Sequence, residues 1–555
     1  MNKPLLEHTC HAWPIIAHIV IVYDYKLFEK AGKAMSKQTF LQGTLILIAA
    51  GLITRVLGFI NRIVVARFIG EEGVGLYMMA MPTLVLIITI TQFGLPVAIS
   101  KLVAEAEAEG NQRKIKKILI VSLAITGSLS LLFTPAIILL APYLSNSLLT
   151  DPRTLYPLLA ITPVVPIIAI SSVLRGYFQG KQNMRPAAIS QVLEQIVRIS
   201  LIAVFTKTFL PYGIEYAAAG AMASAVIGEL ISLLYLFSMF KMKKKFKIRR
   251  KFFKSLHDGK DTFQNLMSIA LPTTGSRMIG SIAWFFEPIV VAQSLAIAGF
   301  TAVTATKQYG ELTGYALPLL MLPSFITYSL STALVPAISE AMAQKKLHLV
   351  QHRLQQAFRL SLVTGGFAVV ILYIYANPMM MVMYGSSHAA IFVQVMAPFF
   401  IFYYFQGPLQ AVLQALNLAK AAMINSFIGS AIKTALIFLL ATRPSLGIMG
   451  AALAIVAGIM LVTLLHLATV MKVVSLTFRI GEYAKCFLTM ILSGIAGYYF
   501  YQMLSLSMGI NLIISVTFTF TIYCILLVVF RLVLKEELKR IPYVGNTLSK
   551  LAPRR

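Results

Sequence analysis

From about residue 40 to residue 534 the chain alternates long apolar runs with short polar ones. A helix needs about 20 mostly apolar residues to cross the hydrocarbon layer of a bilayer. Apolar length, read together with breaking residues, predicts about fourteen such helices. Their cores fall near 42–66, 76–100, 118–142, 156–178, 187–209, 216–240, 266–297, 310–336, 358–383, 389–413, 421–441, 448–471, 485–504 and 510–533. Pro157, Pro163 and Pro166 interrupt the fourth, and Pro288 lies inside the long seventh. Proline is tolerated in a membrane helix where neighbours or water satisfy the freed carbonyl, so such kinks suit helices that bend around a cavity.

The pattern repeats. Leu174 to Ile202 aligns without a gap on Leu409 to Ile437 at an offset of 235, with Gln179 on Gln414, Ile189 on Ile424 and Arg198 on Lys433. Val97-Ala98-Ile99-Ser100 meets Pro336-Ala337-Ile338-Ser339, and Gly220-Ala221 and Gly228 meet Gly450-Ala451 and Gly458. Arg55-Val56-Leu57-Gly58 returns as Arg277-Met278-Ile279-Gly280 at an offset of 222. Spans one to six are thus restated in order by seven to twelve, and thirteen and fourteen have no counterpart. Both copies begin on the same side, so the repeats are parallel. The fold class expected is an all-α polytopic membrane protein: two parallel six-helix repeats facing a central cleft, plus two C-terminal helices. The domains expected are an N-lobe at 35–240, a basic linker at 241–263, a C-lobe at 264–472, the last two spans at 473–534 and a basic tail at 535–555. Residues 1–34 carry an apolar stretch too short to span and no cleavage signal, and Met35-Ser36-Lys37-Gln38 reads as a start directly before the first span.

Composition sharpens this picture. Hydrophobic residues make up 58% of the 555, charged ones 12%, and the mean hydropathy is +0.80, which excludes a soluble domain. The net charge of +28 reads as topology rather than as nucleic-acid binding. Lys and Arg crowd the even-numbered loops, as in Arg113, Lys114, Lys116 and Lys117 and the run Lys243-Lys244-Lys245, whereas odd-numbered loops carry about one cation each or none. The positive-inside bias then puts both termini in the cytoplasm. Cys10, Cys486 and Cys524 lie far apart, so neither a disulfide framework nor a metal site is expected. Walker A, HExxH and GxSxG sequences are absent, as is a paired-carboxylate loop, which argues against ATP hydrolysis and intramembrane catalysis.

The candidate chemistry lies inside the spans. A central arginine in a membrane helix costs about 2.5–3.5 kcal/mol on insertion scales. Gly51, Arg55, Gly58 and Arg62 share one helical face by spacing, and Arg277, Gly280, Trp284 and Glu287 do so in the repeat. Arg55, Arg62 and Arg277 therefore read as cations lining an anion-binding cavity, although Arg62 and Arg67 lie near enough to an interface to snorkel. Arg198 follows Glu194 by four residues, a spacing that suits an ion pair. Lys433, its repeat partner, has no acid nearby in sequence. Glu287 is read as a partner for Arg277 or a cation site, and Lys307 and Glu311 stand at the start of span eight. Tyr309, Tyr315 and Tyr328 are candidate sugar contacts. A guanidinium matches phosphate oxygens bidentately and stays charged, so a net cationic cleft favours a bulky phosphate-bearing cargo over a cationic drug.

Arg55-Val56-Leu57-Gly58-Phe59 followed by Val65-Ala66-Arg67 resembles the first-helix motif of the lipid II flippases. Gly70-Glu71-Glu72-Gly73-Val74-Gly75-Leu76-Tyr77 and Gln92-Phe93-Gly94-Leu95-Pro96-Val97-Ala98-Ile99-Ser100-Lys101 resemble the polysaccharide-exporter branch of the same multidrug/oligosaccharidyl-lipid/polysaccharide superfamily. The resemblance implies a two-lobed bundle in the cytoplasmic membrane carrying lipid-linked sugars, with a sporulation branch serving spore-cortex peptidoglycan. It implies Arg55 as a cavity cation, no resident cofactor, and drive from membrane potential or an ion gradient. The implied partners are the lipid-linked sugar, membrane lipids and cell-wall synthesis enzymes, with no nucleic acid. The chain departs from the flippase pattern at Asn61, where a second arginine is expected, and at Met81-Pro82-Thr83-Leu84, where a span-two arginine is missing; a span-eight arginine is absent too. The alternatives left open are an exporter of another lipid-linked oligosaccharide, a cation-coupled drug exporter needing an acid such as Glu287, and a non-transporting scaffold.

Overall fold

The computed structural model describes residues 40–243, 258–474 and 480–532. The proposed N-terminal extension, most of the basic linker and the basic tail lie outside the described residues. Within them every regular element is helical. The first half runs through α1 (Phe40–Gln92), α2 (Leu95–Ala108), α3 (Gln112–Tyr143), α4 (Leu155–Ile161), α5 (Val164–Gly180), α6 (Arg185–Phe209) and α7 (Ile214–Lys243). The second runs through α8 (Lys260–Ile297), α9 (Ala302–Gly310), α10 (Leu317–Met321), α11 (Ser324–Ala343), α12 (Leu347–Ile374), α13 (Ala376–Tyr384), α14 (Ala390–Met396), α15 (Phe400–Ala415), α16 (Ala419–Ala441) and α17 (Ile448–Met471). A hairpin of α18 (Ile480–Met503) and α19 (Met508–Val529) follows.

Eleven stretches are long and apolar enough to cross a membrane, and the pair Ala302–Met321 and Ser324–Ala343, bent by 53°, adds another. The 60-residue stretch Ala49–Ala108 holds two spans, because the chain reverses at Gly70. Gly70 sits at φ 65°, ψ −174°, a region that essentially only glycine occupies. Before the turn, the Ala66 carbonyl accepts the Tyr315 hydroxyl; beyond it, Thr89 bonds Ser281 at 2.9 Å. The two arms of α1 therefore run against different spans of the second half. With α18, a further apolar helix, each expected span core overlaps a helix or a broken pair of helices, the cores 485–504 and 510–533 running past the ends of α18 and α19. Proline acts unevenly. The fourth span breaks into α4 and α5, whereas α8 continues through both Pro272 and Pro288.

The internal repeat governs packing. The α6–α7 contact is restated by α16–α17, α1–α6 by α8–α16, α2–α5 by α11–α15, and α3–α5 by α12–α15. Gly228 packs against Arg198 and Gly458 against Lys433; Gly220 packs against Phe205 and Gly450 against Leu440. Each pair of contacts joins residues that the sequence repeat places in register. The C-terminal hairpin docks on α12 and α13 of the second half. Tyr375, at the break between those helices, bonds Thr519 at 2.8 Å, and Tyr523 donates to the Val363 carbonyl at 2.8 Å.

The two halves touch backbone to backbone near Gly70. A methyl group at Gly75 would land on the carbonyl of Thr306, whereas Gly58, one arm earlier, has open space. Gly75→Ala should destabilise the purified protein by about 1–3 kcal/mol through overpacking, and Gly58→Ala should not. Equal thermal-unfolding midpoints for the two variants would contradict this packing.

Candidate functional site

A cation in the hydrocarbon layer needs an acid or water beside it. Most of the interior cations have acids. Arg198 meets Glu194 at 2.6 Å. Arg175 reaches Glu229 and the Ser232 hydroxyl at 3.0 Å each and Glu194 at 3.7 Å. Lys307 lies 3.1 Å from Glu71 and 4.0 Å from Glu311. Lys433 forms a close ion pair with Glu287. The sequence offers Lys433 no acid nearby and reads Glu287 as a partner for Arg277 or a cation site; the structure sets Glu287 against Lys433 instead. The acid comes from α8 rather than from Lys433's own helix. A stripe spaced three, four, three also turns by about 80° between Arg277 and Glu287, enough to separate their directions.

Arg55, Arg62 and Arg277 are exposed and have no carboxylate partner among the described residues. The Arg55 guanidinium lies over the ring of Tyr328 from α11, 4.0 Å from its centroid, and within electrostatic reach of Tyr403 on α15. Arg62 acts on Tyr384 at the end of α13. Arg277 shares a face of α8 with Ala270, Thr274 and Ser281; Gly94 packs on the first two, and Thr89 bonds the third. Each of the three arginines thus looks from one half of the molecule towards the other. Asn61, beside Arg62, is buried, and its Oδ1 has no hydrogen-bond partner. Tyr309 and Tyr315 are both only 1% exposed and cannot meet a ligand, whereas Tyr328 is 53% exposed.

Between the halves lies a fork. The contacts of α1 with span eight run through α9 and the π-helical turn Glu311–Ala316 rather than through α11. Around the Arg55–Tyr328 contact both helices present apolar side chains outward: Leu52, Ile53 and Val56 on α1 and Phe325 and Ile326 on α11 are exposed.

At the Gly70 end a buried apolar cluster spans the two halves, and polar contacts cross between them or brace the residues that do. Glu71 accepts from the Ser386 hydroxyl, meets His388 Nδ1 at 2.9 Å, and pairs with Lys307. Arg153 pairs with Glu72 and, at 2.9 Å, with Asp151, which accepts the Thr306 hydroxyl at 2.7 Å. Burial raises the Asp151 pKa, but hydrogen bonds from Arg153 and Thr306 outweigh it and hold the carboxyl below its usual range. Gln293 donates to the Ser147 carbonyl at 2.7 Å. Arg67 donates to the Met383 carbonyl at 2.7 Å and to that of Val382, capping the C-terminal end of α13, where a cation is favoured. Sequence reasoning named Lys307 and Glu311 here but missed Glu71, Glu72, Asp151, Arg153 and His388. Apart from their charge in otherwise apolar surroundings, nothing in the sequence links them across the halves.

A bundle of apolar spans built from two repeated halves, joined at the Gly70 end and facing each other with three arginines that lack a carboxylate among the described residues, defines a multi-pass membrane transporter. Residues 40–342 match the family described as polysaccharide biosynthesis protein, and residues 312–439 match MatE. The chain belongs to the polysaccharide biosynthesis protein family. Stage V sporulation protein B of Bacillus subtilis (strain 168) is 67% identical over 93% of the chain and all of its own length. Lipid II flippase MurJ of the same strain is 25% identical over 71% of the chain and 76% of that protein. A solved lipid II flippase MurJ, in an inward closed conformation, superposes with a TM-score of 0.68 at 16% identity, covering 88% of the chain and 98% of that structure.

The Lys433–Glu287 pair gives a direct test. Removing one partner of a buried pair costs about 3–5 kcal/mol, while replacing both is close to neutral. Lys433→Met and Glu287→Gln should each lower the unfolding midpoint, and the double variant should recover most of the loss. Additive losses would show that the two side chains act separately.

Proposed function

We propose that the protein is a flippase that moves an undecaprenyl-diphosphate-linked peptidoglycan precursor across the cytoplasmic membrane by alternating access, in spore-cortex synthesis. The observation that carries this reading is the contrast between paired and unpaired cations: among the described residues Arg175, Arg198, Lys307 and Lys433 have acids, and Arg55, Arg62 and Arg277 do not. Three free guanidinium groups facing the seam suit a diphosphate, which accepts charged bidentate hydrogen bonds. The apolar-bordered fork between α1 and α11 suits a lipid chain that stays in the bilayer while its head enters the cleft. The 67% identity with stage V sporulation protein B supports the sporulation setting, and the lipid II flippase relative supports the cargo class.

The positive-inside bias places the Gly70 end away from the cytoplasm, so the fork admits cargo from the cytoplasmic side. The polar seal then parts on the opposite stroke, with 35–240 and 264–472 moving as the two lobes, 241–263 linking them, and 473–534 travelling with the second lobe through α12 and α13. Membrane potential or an ion gradient supplies the drive. A drug exporter fits less well, because Glu287, the acid it would use, is occupied by Lys433. Export of another lipid-linked oligosaccharide is favoured by one observation: Asn61 stands where the flippase motif has an arginine.

Liposomes holding the full chain and labelled lipid II test the reading. Charged hydrogen bonds contribute about 1.5–3 kcal/mol each, so Arg55→Ala and Arg277→Ala should each slow flipping by roughly 10- to 150-fold while inserting normally. Wild-type rates in both variants would refute the cargo site. Faster flipping of a different undecaprenyl-linked glycan would assign the protein to the oligosaccharide exporters instead.

A further inference from the structure

Building on the diphosphate reading of the cleft, we propose that Tyr328 is a positioning residue for Arg55. Its ring takes one face of the guanidinium, so that the in-plane N–H edge is presented to the phosphate oxygens.

The guanidinium carbon lies 4.0 Å from the ring centroid, well inside the range of about 6 Å over which a cation is attracted to an aromatic face. A guanidinium carries its five donors in one plane. Stacking occupies the flat face and leaves those donors free, whereas a carboxylate neighbour would consume two of them and cancel the charge. Each of the ion-paired cations elsewhere in the bundle has taken the carboxylate solution; Arg55 has taken the aromatic one. Stacking also restricts a long, flexible side chain before the ligand arrives, so less order is lost on binding.

Tyr328 does not fill the core. It is 53% exposed, while Tyr309 and Tyr315 in the same span are buried. Nor does the repeat call for an aromatic at this place. The offset of 239 that aligns Val97–Ser100 with Pro336–Ser339 puts Tyr328 on Thr89, and the offset of 222 puts Arg55 on Arg277. On the Arg277 side Thr89 bonds Ser281 at 2.9 Å, so hydroxyls stand where the other side has a ring. The two arginines are repeat mates in different settings, and among the described residues only Arg55 of the two has a stacking platform. This makes Arg55 the arginine whose orientation is fixed in advance and Arg277 the one left to adapt.

The test uses the full chain in nanodiscs, with undecaprenyl diphosphate as the probe and uncharged undecaprenol as the control. Cation–π contributions predict that Tyr328→Leu weakens diphosphate binding by about 3- to 30-fold, leaves undecaprenol binding unchanged, and that Tyr328→Phe binds like wild type. In an Arg55→Ala background Tyr328→Leu should have no further effect. Tyr328→Gln repeats the ring deletion with a polar side chain should the leucine variant fold poorly. Wild-type affinity in both ring-deletion variants, with Arg55→Ala still weak, would overturn the positioning role and leave the diphosphate reading standing. Additive losses in the double variant would overturn it too, by placing Tyr328 on the ligand itself. Wild-type affinity in Arg55→Ala would remove the diphosphate reading and this inference with it.

Discussion

The structure depends on what an apolar solvent does to a positive charge. A lysine or arginine carried into the hydrocarbon layer must find an acid or keep its water. In the first half, Arg175 and Arg198 share Glu194 and Glu229. In the second, Lys433 takes Glu287. These groups hold helices together within a lobe and leave no net charge for a ligand to find. Among the described residues Arg55, Arg62 and Arg277 have no such acid, and a cation without one keeps its water. Two repeated halves that face each other, with α11 largely apart from α1, leave room for that water between them.

The repeat explains how so apolar a chain builds that cleft. Each half reuses one set of helix contacts, with glycines admitting the same close approaches at Arg198 and Lys433. Placed face to face, the first and seventh spans each bring an arginine to the seam. The symmetry is then broken locally. Arg55 meets Tyr328, while beside Arg277 a threonine bonds a serine. Departures from an internal repeat mark where the two lobes do different work, because packing alone would have kept them alike.

Much of this was legible in the sequence, for physical reasons. Apolar length reports the bilayer thickness directly, so the spans could be read, including the two that meet at Gly70. A gapless repeat at one offset reports duplicated packing. Spacing of three and four reports a shared helical face only as far as the steps sum to whole turns: from Gly51 to Arg62 the net rotation is about 20°. From Arg277 to Glu287 it is about 80°, and Glu287 pairs with Lys433 on α16. Contacts between helices leave no local signal. Neither the Lys433 partner nor the seal of Glu71, Arg153 and His388 could be found by spacing. Nor does a tyrosine's sequence position tell whether it is packed like Tyr315 or open like Tyr328.

The seal near Gly70 joins a buried apolar cluster that includes Val65, Ile69 and Val74 of the first half and Ala305, Tyr309 and Leu312 of the second to hydrogen bonds and ion pairs, several of them at half-exposed groups such as Lys307 and His388, whose side chains are 43% and 66% exposed. Ion pairs of this kind are individually weak, and water can take over most of their hydrogen bonds as they part. The apolar cluster behind them gives the closure its firmness at rest, because exposing it to water is costly. A polar rim that solvent can substitute, bond by bond, adds orientation to the door at little further cost in opening it.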